Sequence, residues 1–182
     1  MANPNIELLT SIATAMGAVR EQVVFVDAIV EVASLVRYHA LAEQPMAQGF
    51  QQTMADNTPP FRWYWHGMQL DLVPLDEKVL GFANRWYKPG FEAATAATLP
   101  SGMVLRHLSA PYFMATKLEA FKDRGNNDVY LSHDLEDVIT VVDGREELIG
   151  ELTCAPTNVR DFVVQALRTG LVLQRFTQIS DL

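Results

Sequence analysis

The chain has 182 residues, 49% of them hydrophobic, and 14 Lys and Arg against 22 Asp and Glu leave a formal charge of −8. That length suits one domain with a helical appendage and can bury roughly 70% of the unfolded surface, so no staples are needed. The acidic balance argues against a protein that coats nucleic acid by broad phosphate neutralisation. A lone cysteine, Cys154, excludes an intrachain disulfide and a Cys-based zinc cluster and fits a reducing, cytoplasmic setting.

In chain order, Asn5 can cap a helix whose apolar positions Ile6, Leu9, Ile12, Ala13 and Met16 follow helical spacing up to Gly17. The residues before it have neither the basic start nor the apolar stretch of a signal peptide. No uncharged apolar run reaches the ~18 residues a membrane helix requires, so no membrane partner is expected. From Val23 to Val32 the chain is almost continuously apolar and β-branched, which predicts a buried strand interrupted by Asp27.

Ser34 then caps a helix to about Ala47, with Leu35, Tyr38, Leu41 and Ala42 inward and Pro45 near its close. Phe61 to Pro74 predicts a hairpin turning at His66-Gly67, with Met68, Leu70 and Leu72 on one face of its second strand and Asp71 on the other. Leu75 to Phe91 is irregular and aromatic. A second hairpin is expected from Ala93 to Leu108 around Pro100-Ser101-Gly102.

Helices are predicted over about 111 to 123, 132 to 143, 145 to 152 and 157 to 176, the last three capped by Ser132, Asp143 and Thr157. Strands followed by a helical final third favour an α+β fold over a doubly wound sheet. The expected division is a mixed α/β core over residues 1–109 and a helical region over 110–182.

Asp27 and Asp71 each interrupt an apolar strand. Either they are edge or strand-end positions with the carboxylate in water, or neighbouring strands bring both into one cleft to hold a divalent ion. Hard Mg²⁺ favours carboxylate oxygens, waters and substrate phosphates, and paired carboxylates can share ions across a phosphoryl group in transfer. In the helical part, Lys117, Phe121 and Arg124 share one helix side, while Asp134 and Asp137 are helix neighbours three apart. Solvated amphipathic faces with an acidic first turn explain this pattern. So does a phosphate-binding set whose lysine and arginine are oriented by ion pairing.

The run Tyr112-Phe113-x-Ala115-Thr116-Lys117-Leu118-Glu119-Ala120-Phe121-x-x-Arg124-Gly125, followed by Ser132-His133-Asp134-Leu135-Glu136-Asp137-Val138, resembles a family of bacterial nucleotidyltransferase-like proteins. These belong with the AbiEii and MenT type toxins of the DNA polymerase beta superfamily. Gly67-x-x-Leu70-Asp71-Leu72-x-Pro74-x-Asp76 and Leu80-Gly81-Phe82-x-Asn84-Arg85-Trp86-Tyr87 match the same group, so the resemblance covers most of residues 60 to 145. It implies a nucleotidyltransferase-like mixed sheet with a helical C-terminal region, and transfer of a nucleoside monophosphate from an NTP to an RNA or protein acceptor. By the same resemblance Asp71 is the third catalytic carboxylate and Lys117 the contact to the nucleotide's phosphates. Asp134 and Asp137 are the acidic pair that follows, with Arg124 orienting Asp134 or the nucleotide. Asp27 and Asp71 would hold Mg²⁺, with Mn²⁺ as the substitute, and a toxin–antitoxin setting is implied.

The chain departs from that pattern at the first motif, a glycine pair followed by a helix and Asp-x-Asp. Val23-Val24-Phe25-Val26 runs directly into Asp27-Ala28-Ile29-Val30-Glu31-Val32, with Phe25 in place of the first carboxylate and no glycine pair. Two accounts stand: a natively shortened relative that binds nucleotide or a partner protein without catalysis, or loss of an internal segment between Val26 and Asp27. One unbroken strand there is expected of the first account, and differently directed strands of the second. If Asp27 and Asp71 are all that remain, transfer is expected to be severely reduced, since such chemistry relies on positioning and charge neutralisation.

The histidines His39, His66, His107 and His133 lack metal-ligand spacing. The aromatics from Phe61 to Trp65 and around Arg85-Trp86-Tyr87 suit either packing or base stacking. Arg62, Lys78, Arg85, Lys88 and Arg106 concentrate positive charge in the central third and leave a local nucleic-acid surface open. An exposed strand edge beside the shortened motif would favour a homodimer.

Overall fold

A computed structural model describes residues 23–25, 29–30, 35–47, 49–53, 58–65, 68–80, 84–124 and 132–169. The expected helix after Asn5, the Asp27 carboxylate, the Ser34 cap, the His66-Gly67 turn and the final residues of the last predicted helix lie outside them. The fold mixes helix and strand, with two small sheets and a helical C-terminal region, as an α+β chain does. It divides into two units, one of residues 1–83 and 91–108 and one of residues 84–90 and 109–182. Among the described residues no helix is long and apolar enough to cross a membrane.

The first unit contains both sheets. The run expected as one strand from Val23 to Val32 is instead two, β1 (Val23–Phe25) and β2 (Ile29–Val30), paired antiparallel with Val23 opposite Val30 and Val24 opposite Ile29. Continuous β-branched sequence has no alternation to distinguish one long strand from two short ones, so propensity could not locate the reversal. Their opposite directions are the arrangement attached above to a lost segment. The residues that join the two strands, 26–28, lie outside the described ones.

β1 also pairs in parallel with β6 (Val104–His107), and β6 pairs antiparallel with β5 (Thr95–Thr98), giving the order β2-β1-β6-β5. The second hairpin thus forms where expected. Its turn closes through Gly102 N–H to the Leu99 carbonyl at 2.8 Å, with Gly102 at φ +82°, a left-handed conformation that favours glycine.

The other sheet is the hairpin of β3 (Arg62–Trp65) and β4 (Met68–Asp71), with Trp65 opposite Met68 and Arg62 opposite Asp71. Gln51 extends it by a bridge to Tyr64, and Phe50 stacks on Trp65 with centroids 5.5 Å apart. Trp63 and Leu72 are buried in this unit with Tyr38 of α1 (Leu35–Ala47), whose hydroxyl donates to the Leu72 carbonyl at 2.9 Å. The stretch expected to be irregular contains two short helices, α2 (Glu77–Leu80) and α3 (Tyr87–Glu92). Side-chain caps that hydrophobic periodicity does not register start them: Asp76 accepts from the Lys78 N–H, and Asn84 from the Trp86 N–H.

In the helical unit, α4 (Ala110–Arg124) packs against α5 (His133–Gly144), α6 (Leu148–Cys154) and α7 (Thr157–Arg168). Met114, Ala115, Leu118 and Phe121 of α4 meet Leu135 and Val138 of α5 and Val159 and Val163 of α7 in one apolar core. Ser132 caps α5 as expected, accepting from the Leu135 N–H. Two caps differ. α5 continues through Asp143, so Glu147 precedes α6, and Pro156 precedes α7 in place of Thr157. Pro156 stands at the cap with extended ψ and offers its carbonyl to the Arg160 N–H at 3.0 Å, which a search for hydroxyl caps overlooks.

Candidate functional site

Lys117 lies near the middle of α4, and Asp134 and Asp137 lie one helical turn apart near the start of α5. Packing of Leu118 and Phe121 against Leu135 and Val138 fixes the two helices side by side and brings the three charges together. The Lys117 ammonium lies 3.0 Å from Asp137 Oδ2 and 3.9 Å from Asp134 Oδ1. It also sits 5.7 Å from the centroid of the Phe113 ring, one turn earlier on α4, within cation–π range.

Exposure distinguishes the partners. The side chains of Lys117 and Asp134 are only 12% and 17% exposed, whereas Asp137 is 47% exposed. Asp134 is therefore the enclosed counter-ion and Asp137 the one that meets solvent. Asp134 and Glu136 also sit in the first turn of α5, where carboxylates suit the positive end of the helix dipole. Arg124 is the last residue of α4, and its side chain lies outside the described ones, as does Asp27.

Asp71, at the end of β4 in the first unit, meets a different partner. Asp71 Oδ1 accepts from Arg62 Nε and Oδ2 from Arg62 Nη2, each at 2.8 Å, a bidentate fork across the hairpin. The Gln69 carboxamide, with its oxygen assigned toward the same guanidinium by hydrogen-bond sense, accepts from Nε at 3.1 Å and Nη2 at 3.2 Å. The hydrogen bond to Asp71, first among the causes, holds the Arg62 guanidinium above its already high pKa. A divalent ion at this carboxylate would meet the Arg62 guanidinium already paired with both oxygens. Among the described residues no group of three or more His, Cys, Asp or Glu could hold a metal ion. The described part of the expected Mg²⁺ site thus does not suit the ion as it stands.

Arg62 was readable only as one basic residue among several, yet a two-residue turn at His66-Gly67 itself pairs position 62 with position 71. The register held the signal. Two other central basic residues are also engaged. Arg85 makes a two-point contact with Glu119, at 2.9 and 3.0 Å, and lies over the rings of Trp86 and Phe162. Arg106 donates to the Phe91 carbonyl at 2.8 Å and covers its ring. Three of the five residues expected to form a nucleic-acid surface therefore make specific internal contacts. Trp86 is buried in the helical core, where it packs rather than offering a face to a base.

Asn84 donates from Nδ2 to the Thr116 carbonyl at 2.8 Å, which ties its segment to the turn of α4 just before Lys117. His133 pairs with Glu136 at 3.1 Å on the exposed side of α5, and Cys154 is an exposed free thiol. Comparison with protein-family models, curated proteins and solved structures finds no match to this chain.

Proposed function

We propose that this protein is nucleotidyltransferase-like: it binds a nucleoside triphosphate through Lys117 and passes the nucleoside monophosphate to an RNA or protein acceptor, in a toxin–antitoxin setting. The observation that carries the reading is the Lys117 ammonium held between Asp134 and Asp137 at the junction of α4 and α5. The sequence run that resembles the transferase family supplies all three of these groups.

In this reading Asp134 restrains the lysine stem while the more exposed Asp137 gives way to an incoming phosphate. Exchange of carboxylate for phosphate keeps the ammonium paired throughout, so no bare charge is left in a mostly enclosed place. Phosphoryl transfer is chiefly positioning and charge neutralisation, and Lys117 supplies one fixed positive charge to that task. Arg124 is the second cation proposed for the nucleotide. No step is assigned to a metal at Asp71.

A specific observation favours the second reading, a relative that binds nucleotide or a partner protein without transfer: both oxygens of Asp71 are occupied by Arg62. One assay separates the two. The chain is incubated with labelled NTPs, Mg²⁺ or Mn²⁺ and total RNA beside Asp71→Ala and Lys117→Ala. Label transfer that Lys117→Ala abolishes supports the enzyme, and Asp71→Ala shows whether transfer also depends on that carboxylate. NTP binding that Lys117→Ala removes, without transfer in any sample, supports the binding module. Absence of both sinks the nucleotide reading.

A further inference from the structure

Arg62 and Asp71 are the directly opposed cross-strand pair at the base of the β3–β4 hairpin. The adjoining Leu72 N–H donates to the Phe61 carbonyl at 2.8 Å, so the backbone on both sides of the pair is held in register. Both side chains are partly buried, 28% and 20% exposed, and the contact is a parallel two-bond fork. A guanidinium in this pose takes one in-plane lone pair on each carboxylate oxygen, two of about four, and sets its positive charge against the carboxylate. It also cannot shed its charge by losing a proton. Mg²⁺ needs oxygen ligands at about 2.0–2.1 Å in near-octahedral array, so at the remaining lone pairs it meets a fixed positive charge on the same carboxylate.

We infer that Arg62 is an internal counter-ion that excludes divalent cations from Asp71, so that Asp71 recruits no metal while the fork is intact. The inference rests on the reading of Asp71 as the third carboxylate of the transferases it resembles, and it adds that in this chain the carboxylate is locked. Asp71 then serves the hairpin's register first. Any metal-dependent chemistry there has to overcome the guanidinium's charge.

The test uses Mn²⁺ alone, without nucleotide, so its failure is separable from a failure of NTP binding at Lys117. Free Mn²⁺ is counted by electron paramagnetic resonance against the wild type, Arg62→Gln, Asp71→Asn and the double variant. A neighbouring opposite charge lowers a carboxylate's proton affinity by a factor of about ten or more, and its attraction for a metal cation falls in the same sense. Arg62→Gln should therefore bind Mn²⁺ at least about tenfold more tightly than the wild type, and adding Asp71→Asn should remove the gain. Wild-type binding that Asp71→Asn removes would overturn the lock, as would a folded Arg62→Gln with no gain. A pure register role predicts lost stability in Arg62→Gln without new ion affinity.

If Arg62→Gln does not fold, the wild type still decides. The Nε–H resonance of Arg62 should stay in place and protected from exchange as Mg²⁺ is raised into the millimolar range. Its release by Mg²⁺ would show the fork opening to the ion and would end the proposal.

Discussion

Tyr38 illustrates how one side chain reports on its surroundings. Burial pushes its phenol up to about 12, with the Trp63 side chain opposing and the Asp71 charge adding to the rise. An unfolded tyrosine ionises near pH 10, so the folded state holds the proton more tightly between about 10 and about 12. The stability linked to Tyr38 is thus fully present below about pH 10 and is lost as pH rises through about 12. Denaturant melts across that window should show a loss on the order of 2 kcal/mol, absent in Tyr38→Phe. At neutral pH Tyr38→Phe leaves the buried Leu72 carbonyl without its hydroxyl donor, at a cost of about 1–3 kcal/mol.

Lys117 makes a comparable case. Its pair with Asp134 is mostly enclosed, so Lys117→Ala removes the ammonium from a sheltered carboxylate and should destabilise by about 1–3 kcal/mol, more than loss of an exposed pair would. Asp137→Asn, at the more exposed partner, should cost under about 1 kcal/mol. Urea midpoints of the two variants check that order. Equal losses would mean that both carboxylates are enclosed alike.

Among the elements, α5 is where sequence and structure agree most closely. Ser132, the acidic first turn and the spacing of Leu135 and Val138 define its start and inner face before any neighbour is known. Leu135 is 1% exposed in the shared helical core, and Leu135→Ala should cost about 2–5 kcal/mol by thermal or urea unfolding. Both hairpins were likewise readable, because turn residues sit between short apolar strands. β1 and β2 were not, since a run of Val and Ile carries strand propensity but no mark of where it reverses. The short α2 and α3 escaped for the opposite reason: each is too brief for periodicity, and local caps from Asp76 and Asn84 define it. The aromatic stretch around Trp86 read equally well as a base-stacking surface. Only its packing with Phe162, at a centroid distance of 5.0 Å, shows it filling the helical core.

For the molecule as a whole, the −8 charge and the sequence pI near 4.9 set its colloidal behaviour. Light scattering across acid to neutral pH should find the solubility minimum near 4.9, where repulsion vanishes. The same charge weakens any unspecific hold on RNA, so acceptor recognition, where it occurs, should depend on a few placed contacts and not on net attraction. Composition, periodicity and turn residues were enough to define an α+β chain with a helical final third, because those signals are local and repeat along the backbone. The fate of each charged group was a different matter. Whether Asp71 would meet a metal or an arginine, and whether Lys117 would stand in solvent or between two aspartates, depended on distant residues meeting. Such pairings follow from strand register and helix packing, and a linear spacing contains them only after the fold has been drawn.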